Sequence, residues 1–454
     1  MPLSIIILAA GQGTRMKSAR PKVIHPVAGR PMLQHVVDTS LLLKPEQVIV
    51  VVGHQSEQVR QLINGEGLIF VEQTQQLGTG HAVVQCLGEL NEGNDVLVLY
   101  GDVPLIKAET LQGLLSDTEG SSIGILSFVP VNAHGYGRIL RDEDDSVKAI
   151  VEEKDASSEE KNIRESNSGI LFMNGANLHS LIEKLDDDNT QSEFYLTDVV
   201  RHAVNANLNV SATICASAEE VSGVNNQAQL AEVERIYARR QADKLMLEGV
   251  KLYDPDRIDV RGNLQVGTDV EIDVNCIFEG DVTLADNVRI GANCVIRNSK
   301  IGTGSIILPM TTIDEAITGS RVSIGPYARI RPGTECDDGV KIGNFVEIKK
   351  AKIGAGSKVN HLSYIGDTDM GSGVNIGAGT ITCNYDGFNK FKTIIEDDVF
   401  VGSDTQLVAP VTIARGSTIG AGSTITRDTP AHKLTLSRPK QVTLESWKKP
   451  TRKK

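Results

Sequence analysis

In the second half of the chain, aliphatic residues recur every six positions. One series holds Val266, Ile272, Phe278, Leu284, Ile290 and Ile296. It loses one residue and resumes at Ile301, Ile307 and Ile313, then shifts to Ile324, Ile330, Cys336, Ile342 and Ile348. Ile353, Val359 and Ile365 follow, then Met370 and Ile376, and a last register holds Ile395, Val401, Leu407, Ile413, Ile419 and Ile425. Neither the helical period of 3.6 nor the strand period of 2 produces this pattern. A six-residue repeat predicts a parallel β-helix, a solenoid with three short flat sides per coil, in which each inward aliphatic stacks on its equivalent one coil away. Burying each contributes roughly 1.5–3 kcal/mol. Glycine often follows the aliphatic residue, as at Gly291, Gly302, Gly325, Gly343, Gly354, Gly377 and Gly402. The expected reason is a sharp turn with no Cβ in the way. Aromatic content of only 4% suits a core of stacked aliphatics.

The first half follows other rules. Strand-like runs (SIIILAA, QVIVVVG, DVLVLYGD, SSIGILSF, VKAIVEE) alternate with helical stretches such as Pro31–Leu43. Such alternation predicts an α/β domain, Rossmann-like, with a mainly parallel sheet covered on both faces. Residues 225–248 read as one long helix, with Leu230, Val233, Ile236 or Tyr237, and Leu245 near the helical period and Gly249 as a stop. The expected organisation is an α/β domain over 1–224, a helical linker over 225–250 and a solenoid over 251–454.

Net charge of −12 argues against a broad nucleic-acid surface, though a few local cations can still govern a pocket for a small anion. No stretch reaches the ~18 apolar residues of a membrane span. The run Leu3–Ala10 has no basic residue before it and does not read as a secretory signal. The six cysteines form no CxxC pair, which suggests reduced thiols in a cytoplasmic protein. The basic tail Trp447–Lys454 reads as a solvated terminus.

Three features of the first half carry chemistry. The run Ile5–Ala10 ends in Gly11-Gln12-Gly13-Thr14-Arg15-Met16, nearly a dinucleotide fingerprint but without its third glycine. Loops at the carboxyl edge of an α/β sheet bind ligands, and glycines there admit phosphate oxygens to backbone N–H groups. Arg15 and Lys22 add positive charge. A second strand ends in Tyr100-Gly101-Asp102, where a carboxylate suits Mg²⁺ shared with phosphates or, equally, a turn. Gln73–His81 offers amides and close-approach glycines that could read a base edge. Asn225, before the long helix, is by residue type a helix N-cap.

In the solenoid, Arg329, Arg331, Lys349 and Lys350 place outward cations one to three coils apart, and His361 is the one histidine inside the repeats. The insertion Thr382–Lys392 breaks the hexads, and long loops on rigid scaffolds often carry function. Only His361 and His432 lie in this half, which excludes a three-histidine zinc site.

The stretches LAAGQGTRM, Pro21-Lys22, QLGTGHA, LYGDVPL, GYGRI, SNSGI and GVNN occur in the order found in sugar-nucleotide pyrophosphorylases. The hexad half resembles the hexapeptide-repeat family, whose β-helix is left-handed and usually trimeric. Together the halves resemble the bacterial bifunctional N-acetylglucosamine-1-phosphate uridylyltransferase/glucosamine-1-phosphate acetyltransferases over nearly the whole chain. The resemblance implies that Leu8, Ala9, Ala10, Gly11, Gln73, Gly78 and Thr79 hold the uridine nucleotide and that Arg15 and Lys22 bind the UTP phosphates. Tyr100, Gly101, Gly137, Glu152 and Asn167 would line the sugar side, and Asp102 and Asn225 would ligate Mg²⁺. Gln12 stands where lysine is frequent in the family, and Ser168 where threonine is frequent; the first would weaken triphosphate attraction slightly. In the solenoid, the resemblance makes His361 the general base. Arg331 and Lys349 would grip the phosphate of glucosamine-1-phosphate, with Tyr364, Asn375, Asn384 and Tyr385 around its sugar. Ala378, Ser403, Ala421 and Arg438 would contact acetyl-CoA. It further implies a homotrimer whose Asn384–Tyr385 loop and C-terminal segment complete neighbouring sites. The rival reading is a single-activity nucleotidyltransferase with a solenoid that only oligomerises.

Overall fold

The apolar run at the N-terminus forms β1 (Leu3–Ala9), the centre of a sheet that alternates its burial between two layers. Ile5 and Ile7 face one core with Leu97 and Leu99, while Ile6 and Leu8 face a second core with Val96 and Val98. Covered faces on both sides explain why the strands read as unbroken apolar runs. The computed structural model describes residues 2–53, 55–91 and 93–452, and the chain divides into two compact units, 1–237 and 238–454. The division falls inside the helix Gln227–Leu247.

Apart from a short two-stranded ribbon, Pro26–Val27 with Arg30–Pro31, the strands of the first unit form one sheet: β1, β2 (Gln47–Val52), β3 (Leu68–Glu72), β4 (Asp95–Tyr100), β5 (Ile123–Phe128), β6 (Arg138–Arg141), β7 (Val147–Val151), β8 (Ser166–Met173) and β9 (Val210–Ile214). The sheet order is β9-β5-β8-β4-β1-β2-β3, parallel except for β8, which runs antiparallel to both neighbours. Two features depart from the sequence expectation. The VKAIVEE run is one arm of an antiparallel hairpin, β6–β7, rather than a strand of the parallel set. The SNSGI stretch opens β8, a strand whose register shifts between Asn167 and Leu171 around Gly169, at φ +89°. That irregularity breaks the period-2 signal by which a strand is recognised.

The second unit is a stack of parallel coils. Ile272, Ile290, Ile307, Ile324, Ile342, Val359, Ile376, Val401 and Ile419 pair in succession down one face. A second column runs from Phe278 through Ile296, Ile313, Ile330 and Ile348 to Ile365. Every residue of the hexad series is buried except Val266, which is partly covered. Thr318 and Thr382 occupy core slots that a search for aliphatics passes over. Their hydroxyls accept the backbone N–H groups of Gly302 and Gly366, so neither buried oxygen is orphaned.

The glycines after the hexad residues need a different explanation from the one expected. Gly325, at φ +104°, takes the left-handed turn, but Gly343 and its equivalents lie outside that region. Their requirement is proximity: a Cβ on Gly343 would stand 1.9 Å from the Asn360 carbonyl oxygen of the next coil. The left-handed corners fall elsewhere and are filled mostly by Asn, Asp and other glycines. All six cysteines are free thiols. Burial pushes the thiol of Cys276 up to about 11 and those of Cys294 and Cys336 to about 12. No helix among the described residues is long and apolar enough to cross a membrane.

Candidate active sites

In the first unit, β1 and β4 end side by side, with the Gly101 N–H donating to the Leu8 carbonyl at 2.9 Å. Their ends open on a cavity of about 360 Å³ lined by Leu8, Ala9, Ala10, Gly11, Gln12, Lys22, Gln73, Gln76, Gly78, Thr79, Tyr100 and Asp102, among others. The two glycines of the opening loop do different jobs. A Cβ on Gly11 would meet nothing within 4 Å, so the space before it is open to a ligand. Gly13, at φ +60°, lets Lys22 pass close by: a Cβ there would lie 2.6 Å from the Lys22 Cβ. Thr14–Met16 forms a 3₁₀ turn rather than the start of an α-helix. Positive charge for an anion therefore comes from side chains, not from a helix terminus.

Those side chains converge. Lys22 Nζ makes an ion pair with Asp102 and donates to Asn225 Oδ1 at 3.3 Å. Arg15 Nη2 donates to the same Asn225 oxygen at 2.8 Å. A small apolar cluster sets this up, because Met16, Val27, Met32, Leu105, Val224 and Val233 pack together next to Arg15 and Asn225. The Val224 N–H donates to the Asp102 carbonyl at 2.9 Å, which fixes Asn225 beside the strand end. The helix cap is one residue later than residue type suggested. Asn226 Oδ1 accepts the Gln229 N–H at 2.9 Å, so Asn226 is the N-cap and the Asn225 side chain is free for the site.

The expected sugar-side residues also meet. The Asn167 N–H donates to the Gly137 carbonyl at 2.8 Å, and Gly169 passes under the Tyr100 ring. Thr197 Oγ1 donates to Glu152 Oε1 at 3.1 Å. Burial raises the Glu152 carboxyl above its ordinary range, helped by Asp155 and Asp198 and opposed by the Thr197 hydrogen bond. Burial, with the charges of Glu152 and Asp102, also raises the Tyr100 hydroxyl, which stays a neutral donor. Sequence reasoning missed Thr197 and did not single out Gln76 within the Gln73–His81 stretch or Arg138 within GYGRI. Arg138 is buried in GYGRI and ion-paired to Glu153 at 2.8 Å.

In the second unit, His361 Nδ1 lies 2.9 Å from Asn344 Oδ1, one coil earlier. With the Asn344 oxygen toward the ring, Nδ1 carries the proton and Nε2 is left as the basic nitrogen. A column descends from the same coil. The Gly379 N–H donates to the His361 carbonyl at 3.2 Å, Asp404 to Ala378 at 2.7 Å, and Gly422 to Ser403 at 2.8 Å. Arg438 Nη1 closes it on the Ala421 carbonyl at 2.9 Å. Ala378, Ser403, Ala421 and Arg438 thus align below His361.

A second group gathers around the insertion. The register that pairs Ile330 with Ile348 sets Arg331 beside Lys349, and Lys349 pairs with Gly366. Arg331 is ion-paired to Glu347 at 2.7 Å. Asn384 donates to Asp367, and the Tyr364 hydroxyl sits over Gly366. Lys390 lies against Lys349 and, with Arg331, pushes the Lys349 ammonium below its ordinary range. Cations crowded this tightly suit a multiply charged anion. Asn375 stands apart on the face it shares with Lys358 and Phe400, and Tyr385 is exposed, its hydroxyl on the Gly387 carbonyl. The unpredicted partners Asn344, Glu347 and Asp367 lie 16 or 17 residues from the groups they hold. The coil length would have found them. No group of three or more His, Cys, Asp or Glu suited to a metal occurs among the described residues.

Residues 5–163 match the MobA-like NTP transferase domain family, and residues 263–298 and 392–427 match the bacterial transferase hexapeptide family. The hexapeptide match gives the stacked coils their hand, that of the left-handed β-helix. Curated relatives run the full length of the chain under the name bifunctional protein GlmU. That of Cupriavidus taiwanensis is 55% identical over 450 residues, 99% of each chain. That of Cupriavidus pinatubonensis is 54% identical over 451 residues, again 99% of each. That of Nitrosospira multiformis is 54% identical over 452 residues, covering 99% of this chain and 98% of its own.

Proposed function

The chain belongs to the GlmU family of bifunctional proteins, and from that premise we propose which residues carry its two reactions. It is a uridylyltransferase and an acetyltransferase of UDP-N-acetylglucosamine synthesis. Acetyl transfer from acetyl-CoA to glucosamine-1-phosphate precedes uridylyl transfer from UTP, which releases pyrophosphate. One observation carries the residue assignment: each unit gathers its own chemically complete set, Arg15–Lys22–Asp102–Asn225 in the first and Asn344–His361 above its column in the second.

For uridylyl transfer, the sugar phosphate attacks the α-phosphorus in line, and no protein nucleophile is needed. Arg15 and Lys22 neutralise the triphosphate, Gln73 faces the base, and Glu152, Asn167 and Tyr100 orient the sugar. Asp102 Oδ2 and Asn225 Oδ1 are hard oxygen donors already drawn onto one cationic centre, the Lys22 ammonium, and so fit Mg²⁺. When bound, the ion supplies charge neutralisation for the departing pyrophosphate.

For acetyl transfer, His361 Nε2 takes a proton from the sugar amine as nitrogen attacks the thioester carbonyl, and the CoA thiolate leaves. Asn344 holds the tautomer that makes this step available. Arg331, Lys349 and Lys390 hold the acceptor phosphate, and the Ala378–Ser403–Ala421–Arg438 column takes acetyl-CoA. We read the working form as a homotrimer in the cytoplasm, with 1–224 and 251–454 as the two catalytic domains.

Paired assays test the assignment. Asp102→Ala should lose pyrophosphate release from UTP and keep thiol release from acetyl-CoA. His361→Ala should do the reverse, losing about 10²–10⁴-fold in acetyl transfer. Loss of both activities in either folded variant would overturn the division of labour, and near-normal acetylation by His361→Ala would remove its role as base.

A further inference from the structure

Gln73 is 4% exposed and lines the nucleotide cavity. Its Nε2 lies 3.1 Å from the Gly78 carbonyl and 3.0 Å from His81 Nδ1. A carbonyl can only accept, so the atom facing Gly78 is the amide nitrogen. That nitrogen has two hydrogens. One goes to Gly78 and the other to His81, and Oε1 is what Gln73 offers the cavity.

The second imidazole nitrogen bears on the same arrangement. His81 Nε2 lies 3.2 Å from the side-chain nitrogen of Gln85. A neutral imidazole cannot accept at both nitrogens. The other contact of Gln85 is a 3.3 Å approach to the His81 carbonyl. Both amide nitrogens face a carbonyl, but the Gln73 contacts are the shorter on each count, so Nδ1 is the acceptor and the 3.2 Å approach of Gln85 to Nε2 is not a hydrogen bond. The ring itself has little freedom. Phe194 lies beside it with centroids 6.4 Å apart, and the Phe194 backbone is hydrogen-bonded on both sides, to Leu77 and Gly80, each at 2.8 Å.

Uracil presents N3–H, a donor, where cytosine presents N3, an acceptor. A fixed amide oxygen accepts from the first and repels the second. Turned over, the same amide would donate to cytosine. We propose that His81 is a positioning residue for nucleotide choice: by accepting the second Gln73 N–H, it keeps the Gln73 oxygen toward the base and so selects uridine over cytidine. This rests on the reading that Gln73 faces the base.

The test compares kcat/KM for UTP and CTP in pyrophosphate release by the full-length enzyme, with acetyl transfer measured to normalise for intact chain. The UTP:CTP ratio does not depend on how much of a variant is active, so partial misfolding cannot imitate the effect. His81→Asn places an amide oxygen near the position of Nδ1, and His81→Gln places its amide near that of Nε2. The expected result is a ratio within about twofold of the parent for His81→Asn. For His81→Gln the ratio should fall about tenfold, through KM for UTP rather than kcat, the worth of one hydrogen bond. Equal losses on both nucleotides, or an unchanged ratio in His81→Gln, would overturn the proposal. Gln73→Ala separates it from its premise. An unchanged ratio in Gln73→Ala removes the reading that Gln73 faces the base. A ratio lost there but retained in His81→Gln removes His81 alone.

Discussion

Glu152, proposed to orient the sugar, is a side chain whose charge the fold disfavours. Its carboxyl is buried, and burial together with Asp155 and Asp198 raises its pKa. A raised acid is one whose charged form the fold disfavours. Its contribution to stability is present at low pH and is lost as pH rises through the folded value. Glu152→Gln should therefore melt no lower than the parent at pH 8, with the difference shrinking toward pH 4, as thermal unfolding at both pH values would show. The same variant should raise KM for N-acetylglucosamine-1-phosphate about tenfold, because a neutral amide accepts more weakly from a sugar hydroxyl than a carboxylate does. At this scale the sequence was readable where chemistry is local. The loop Gly11–Arg15 and Asp102 stood out as candidates by their place at strand ends, and Lys22 by its charge near that loop, while their roles came from the family resemblance. Asn344 and Asp367 did not, because each is marked only by standing one coil from its partner, a separation that the period of the whole solenoid reveals and no local pattern does. By residue type alone Asn225 read as a cap, and only the family resemblance pointed to the site; the cap is in fact Asn226.

At the scale of elements, two glycines with opposite surroundings make a paired prediction. Gly113 sits within the helix Ala108–Asp117 with nothing within 4 Å of a notional Cβ. Gly113→Ala should stabilise the chain by about 0.5–1 kcal/mol. Gly343→Ala would press its methyl into the Asn360 carbonyl, one residue before His361. It should cost about 2 kcal/mol and lower acetyl transfer while sparing uridylyl transfer. Denaturant midpoints and the two assays check both. The solenoid was legible almost residue by residue, since nearly every sixth position of a stacked core holds an aliphatic side chain, Thr318 and Thr382 being among the exceptions. Strand β8 was not, because an antiparallel strand with a glycine bulge carries no period of its own.

For the whole molecule, the expectation is a homotrimer whose acetyl-transfer site is shared between copies. Sedimentation should give a mass near three times the 48.9 kDa of the chain. Co-expressed His361→Ala and Tyr385→Ala chains should then recover acetyl transfer that neither shows alone. Absence of recovery would mean that each site is built within one chain. Organisation into two halves was visible from the change of pattern near residue 255, while the point of division, inside a helix continuous in its own hydrogen bonding, carries no mark in the sequence.

The regular coil length also bears on inheritance. Arg261 meets Glu279, Glu279 meets Arg297, and Asn344 meets His361, at separations of 17 or 18 residues. Partners in this half are held at a nearly constant stride rather than scattered through the chain. Compensating changes should therefore appear in descendants as a narrow band at that stride. A crossover between two related genes within the solenoid would sever the contacts of one coil boundary and leave every other couple intact.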